Sequence, residues 1–167
     1  MNYIQIDKTS ISNGLGVRVV LWCAGCTLRC KNCHNHQAQD FNAGKPFDEN
    51  AKAFLFNQLS KPYIKGITIS GGHPLDPYNF EDVLSLVKEI KEKFPTKDIW
   101  LYTGYLYEEL YYREISRILL YIDVLVDGPY IEEQRDITLA FRGSRNQRLI
   151  DVKETIKQGN VITLQTN

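Results

Sequence analysis

Short β-branched runs alternate along this chain with segments of helical period, and that alternation limits the fold more than any other feature. Residues 16–23 (GVRVVLWC), 66–70 (GITIS), 98–104 (DIWLYTG) and 122–128 (IDVLVDG) read as strands. Residues 47–60 carry Ala51, Phe54, Leu55 and Leu59 at helical spacing, with acids in the first turn. Residues 76–94 make the clearest helix: Phe80, Val83, Leu84, Val87 and Ile90 share one face, Asp76-Pro77 supplies start chemistry and Pro95 follows the end. Leu106, Leu110, Ile115, Ile118 and Leu119 indicate a further helix. The tail reads as a connection to about 148, a short helix near 151–158 stopped by Gly159, and a last strand at Val161–Leu164.

Strands alternating with helices predict βα units, hence an α/β fold with a mostly parallel sheet and right-handed crossovers. A complete eight-unit barrel takes about 250 residues. A chain of 167 residues is therefore expected to form one domain over 1–167, a partial, open β/α barrel. Four polar or glycine-rich motifs, CAGCTLRCKNC, SGGHP, YTGY and VDGPY, each fall where a strand ends. In parallel α/β sheets the carboxyl ends share one rim, where ligands bind. The motifs are expected to converge there.

The chain has four cysteines, and three of them, Cys26, Cys30 and Cys33, lie within eight positions. MNYIQIDKTS does not read as a signal peptide, and no apolar run nears the roughly 20 residues of a membrane span. A cytoplasmic location with reduced thiols is the expectation, and reduced thiols in a cluster bind metal or do chemistry. Lys+Arg and Asp+Glu are both 20, so the balance gives no reason to expect a nucleic acid as partner. The Cys-x3-Cys-x2-Cys loop is long enough to wrap round a metal centre. Thiolates suit iron–sulfur clusters and zinc. Four cysteines normally hold a four-iron cluster, so three would leave one iron open to another ligand. Structural zinc usually takes two separated pairs of ligands. Here Cys23-x2-Cys26 and Cys30-x2-Cys33 stand close together, although His34 and His36 keep zinc in consideration.

The same spacing resembles the signature of the radical S-adenosylmethionine enzymes. The flanking NGLGVRVVLWCAGCTLRCKNCHN, GITISGGHPLDPYN, DIWLYTGY, IDVLVDGPY and FRGSRNQRLIDV resemble the activating proteins of anaerobic ribonucleotide reductase, in that family's order over about residues 12–152. The resemblance implies that Cys26, Cys30 and Cys33 ligate a 4Fe–4S cluster whose fourth iron takes S-adenosylmethionine. It further implies reductive cleavage to a 5′-deoxyadenosyl radical, which removes hydrogen from a glycine of the reductase large subunit, with a flavodoxin or ferredoxin as electron donor. Gly71 and Gly72 match the family's glycine pair, where bare backbone approaches the ligand. Thr103-Gly104 and Asp127-Gly128 become candidates to line the S-adenosylmethionine pocket. His73 departs from the pattern, which has an acid there to meet the ligand's ammonium. A neutral imidazole can accept from that ammonium, whereas a protonated one repels it. Weaker S-adenosylmethionine binding is the expectation.

Other singled-out residues have plainer readings beside functional ones. Cys23 falls where relatives carry an apolar residue, and a buried cysteine packs like a small hydrophobe. Tyr111 and Tyr112 read as packing or interface residues, whereas Tyr105 and Tyr130 adjoin rim motifs. Arg142, Arg145 and Arg148 lie in a segment that is either a solvated loop or a polar cap and docking surface. An open barrel leaves the active face uncovered, so the reductase's glycine-bearing segment is expected to complete the pocket, with poor turnover in its absence. The competing functions are an activase of another glycyl-radical enzyme, a ferredoxin-like carrier using all four cysteines, and a zinc-stabilised interaction module.

Overall fold

The computed structural model describes residues 1–165. Its centre is four parallel strands: β2 (Arg18–Cys23), β4 (Gly66–Gly71), β5 (Asp98–Tyr102) and β6 (Val124–Asp127). Three further strands are antiparallel: β1 (Asn2–Ser10) on β2, β3 (Lys45–Pro46) on β1, and β7 (Arg148–Asp151) on β6. The order is β3-β1-β2-β4-β5-β6-β7, and the sheet does not close. The expectation of a mostly parallel sheet is thus corrected to a mixed one. The reason lies at the two edges. Tyr3, Ile4 and Ile6 alternate too weakly with polar residues to stand out, and the RLID strand is only four residues long.

Helices α1 (Glu49–Leu59), α2 (Phe80–Lys93) and α3 (Tyr107–Tyr111) lie in the connections between strands, and α4 (Val152–Gln158) follows β7. Successive strand residues point to opposite faces. Val19, Leu21, Ile67, Ile69, Ile99, Leu101 and Leu125 point to one side and share a core with Leu55, Leu59, Val83, Val87 and Ile90 of the helices. Trp100, Val124, Val126 and Leu149 form a second, smaller cluster on the other side, capped by Tyr102, Phe141 and Leu164.

On that second face, Arg18 is fully buried, ion-paired with Asp98 at 2.5 Å. Its Nε donates to Thr68 Oγ1 at 2.9 Å, and its guanidinium lies over the Trp100 ring. Every face of this charge is therefore occupied, as a buried charge requires.

Two predicted elements differ in detail. α2 begins at Phe80, four residues after Asp76, because Asp76 and Pro77 are used in a turn that reaches back to the cysteine loop. The helix expected after β5 divides into α3 and a 3-10 turn over Glu114–Leu120, with Arg113 extended between them. The proposed last strand is an isolated bridge, Ile150 with Thr163, beside β7. Among the described residues no helix is long and apolar enough to cross a membrane.

Candidate metal centre at the strand rim

The carboxyl ends of β2, β4, β5 and β6 lie side by side because those strands are parallel, and all four motifs meet there. The cysteine loop leaves β2 and closes on itself: Gly25 N–H donates to Ala38 O at 2.7 Å and Cys26 N–H to Gln39 O at 3.2 Å. Within it, Arg29 and Asn32 adopt positive φ, so the chain turns tightly between the thiols. Cys26, Cys30 and Cys33 are part-exposed, free thiols lining one cavity of about 140 Å3. Burial pushes the Cys26 thiol up, opposed by the backbone N–H groups of Leu28 and Arg29, which hydrogen-bond its sulfur. Such N–H···S contacts tune iron–sulfur centres.

Cys23 stands apart. It is wholly buried at the end of β2, its sulfur 3.9 Å from Met1 Sδ, and burial pushes its thiol up to about 12. It packs as a hydrophobe, and its unreactive thiol is a poor metal ligand. Among the described residues no three His, Cys, Asp or Glu side chains are drawn together tightly enough for a single metal ion. The soft donor set and the spread of three thiols round one cavity fit a multi-iron cluster better than a closed zinc site.

Gly71 ends β4 and Gly72 follows it, and the structure gives them a duty in packing. Gly71 has φ +106°, and a Cβ on Gly72 would stand 2.4 Å from Gly25 O and 2.6 Å from Ala38 O. Bare backbone lets the glycine pair touch the cysteine loop: Gly72 N–H donates to Cys23 O and His73 N–H to Gly25 O, both at 2.8 Å.

His73 is buried on the cavity wall, with Nε2 2.9 Å from Thr103 Oγ1 and its ring edge-on to Tyr105 at 4.6 Å. Thr103 Oγ1 also accepts from Tyr105 N–H at 3.1 Å. His73 Nδ1 is buried with no partner in the protein. Desolvation lowers its pKa to about 4, against a smaller opposing pull from Asp76, so the ring is neutral near pH 7.

Asp127 ends β6, but its carboxylate faces away from the cavity lining. It accepts from Tyr107 N–H at 2.8 Å and from Arg148 Nε at 3.0 Å, while Gly128 beside it lines the cavity. The arginine segment is a cap more than a solvated loop. Arg142 donates to Gln147 O, Gln147 Nε2 to Gly128 O at 3.1 Å, and Asn146 Nδ2 to Pro129 O at 2.7 Å. Arg145 remains exposed.

Arg142 and Gln147 line a second cavity of about 370 Å3 with Trp22 and Tyr130. It adjoins the first, sharing Cys33, Asn35, Ser70, Tyr102, Tyr130 and Gln147. Asn35, Tyr102 and Gln147 were not singled out from sequence, although Asn35 follows the cysteine motif, Tyr102 opens YTGY and Gln147 lies in the arginine segment. A larger cavity, about 580 Å3 between α3 and α4, contains none of the rim motifs.

An open α/β sheet with three thiols and a glycine-lined cavity on one rim defines an iron–sulfur class of protein. The family model of the 4Fe-4S single cluster domain matches residues 12–150. Three relatives share the name anaerobic ribonucleoside-triphosphate reductase-activating protein. That of Haemophilus influenzae is 45% identical over 88% of this chain and 96% of its own. The phage T4 protein is 43% identical over 89% and 93%, and that of Escherichia coli 41% over 88% and 96%. The chain belongs to this family of anaerobic ribonucleoside-triphosphate reductase-activating proteins.

Proposed function

We propose that this chain activates an anaerobic ribonucleotide reductase, and that it does so by radical S-adenosylmethionine chemistry as a cytoplasmic enzyme. Cys26, Cys30 and Cys33 hold a 4Fe–4S cluster with one iron left for the ligand. A cluster bound there would supply the one electron for reductive cleavage of S-adenosylmethionine, with methionine released, and so the means of removing hydrogen from a glycine of the reductase. A flavodoxin or ferredoxin is the donor.

The residues of this chain bind and shelter. Neutral His73 presents a polar, uncharged wall, and its buried, unpartnered Nδ1 leaves the ring with a hydrogen-bonding position the protein does not use. Thr103 holds the other ring nitrogen and so fixes the ring. Asp127 is a positioning residue that anchors α3 and Arg148 at the rim. The second cavity, within the roughly 300–1,000 Å3 usual for ligand sites, receives the remainder of S-adenosylmethionine. We read the open sheet as the arc of a β/α barrel whose uncovered side the reductase completes.

One observation carries the reading: three part-exposed thiols open on a single cavity while the fourth is sealed in the core. Anaerobic reconstitution tests it. Wild type and Cys23→Ala are expected to hold about one 4Fe–4S cluster per chain, and Cys26→Ala, Cys30→Ala and Cys33→Ala to lose it. Loss in Cys23→Ala together with retention in any of the others would reject the assignment.

A further inference from the structure

The turn after the glycine pair, HPLDPYN, does more than start α2. Asp76 has no exposed surface. Its Oδ2 accepts from both Thr27 N–H at 3.0 Å and Thr27 Oγ1–H at 2.8 Å, and its own N–H donates to His73 O at 3.0 Å. Asn79, also buried, donates from Nδ2 to Ala24 O at 2.9 Å and to His73 O at 3.1 Å. One buried turn thus grips the cysteine loop on both sides of Cys26 and grips His73 as well. Thr27 is the residue immediately after Cys26.

We propose that Asp76 is a positioning residue for the metal centre: its carboxylate is a latch that closes on Thr27 and fixes Cys26 relative to the His73 wall. This rests on the reading of the three cysteines as cluster ligands. A hydrogen bond to a carboxylate in the interior is stronger than one between neutral groups. A loop with two positive-φ residues has little regular structure of its own to hold its ligands in register. The latch supplies that register before metal arrives. At position 76 the acid serves the protein loop, whatever position 73 does for the ligand.

The test uses the full chain as wild type, Asp76→Ala, Asp76→Asn, Thr27→Val and the Asp76→Ala/Thr27→Val double variant. Hydrogen exchange at the residue 27 amide is read on metal-free protein, and cluster loss to an iron chelator on reconstituted protein. Asp76→Ala is expected to exchange that amide about 10- to 100-fold faster, with amides of β4 and β5 unchanged. Asp76→Asn, whose amide oxygen still accepts, is expected to recover most of the protection.

Both Asp76→Ala and Thr27→Val should lose the cluster about tenfold faster or more, and the double variant no faster than Asp76→Ala. Wild-type amide exchange in Asp76→Asn and Asp76→Ala, or wild-type cluster lifetime in Thr27→Val, overturns the proposal. Should Asp76→Ala not fold, the cluster lifetime of Thr27→Val, which removes the hydroxyl half of the latch, decides alone. A wild-type chain that takes up no cluster overturns the ligand reading itself, a result distinct from variants that hold their cluster as well as wild type.

Discussion

At the residue scale, the chemistry turns on which side chains the fold seals and which it leaves open. His73 is the departure most visible in the sequence, and its meaning becomes clear only with its burial. In metal-free protein the folded ring titrates at about 4, below its ordinary value of 6.5. Between those values the unfolded chain binds a proton that the folded chain does not, so stability falls as pH drops from about 6.5 to about 4. The loss is about 3 kcal/mol at most. Urea melts of wild type and His73→Gln from pH 7 to pH 4 check this: the variant should lose less. Equal slopes would place the acid lability elsewhere. For Cys23 the expectation of core packing agrees with its burial. Cys23→Ala should cost only about 1 kcal/mol in stability and leave cluster content unchanged by iron and sulfide analysis.

At the scale of elements, the rim is held, besides the Asp76 turn, by two devices that sequence pattern does not disclose. One is the close contact of the glycine pair with the cysteine loop. Gly72→Ala places a methyl against two carbonyl oxygens and should cost about 2 kcal/mol or more, read as a lowered Tm with exchange rising in residues 24–39. The other is the Asp127–Arg148–Glu108 network joining β6, β7 and α3. Arg148→Ala strips the wholly buried Asp127 of its cation and should cost about 3 kcal/mol. Glu108 is half-exposed, and Glu108→Ala should cost under about 1 kcal/mol by the same denaturation measurement.

The helices and inner strands were readable because Val19, Leu21, Ile67, Ile69 and the α2 stripe follow clear periods. Strands β1 and β7 were not, being an edge with weak alternation and a four-residue piece. A turn residue such as Asp76 looks like helix-start chemistry until the loop it grips lies beside it.

At the scale of the whole molecule, the convergence of four motifs on one rim followed from the alternation alone, since parallel strands must end together. The split of duties among those motifs did not. Nothing in a spacing pattern tells that Asp127 turns towards Arg148 while Gly128 stays at the cavity, or that Gln147 returns from a distant segment to roof it. The sheet remains open, and the cavity beside Trp22, Tyr102 and Tyr130 is roofed by the 141–147 segment without being closed off. That arrangement suits a partner that brings its own glycine to the site. Turnover of S-adenosylmethionine is accordingly expected to rise when the reductase is added to reduced, loaded protein. Equal rates with and without it would argue that the chain closes its own pocket.

The central claim, reductive cleavage of S-adenosylmethionine at a three-cysteine centre, is tested most directly by measuring 5′-deoxyadenosine. The protein is reconstituted anaerobically and given S-adenosylmethionine, a strong reductant and the reductase, with Cys30→Ala in parallel. Product from wild type that vanishes in Cys30→Ala is the predicted result, and it would show that His73 serves where an acid is usual. A fully loaded wild-type cluster that yields no 5′-deoxyadenosine would contradict the account.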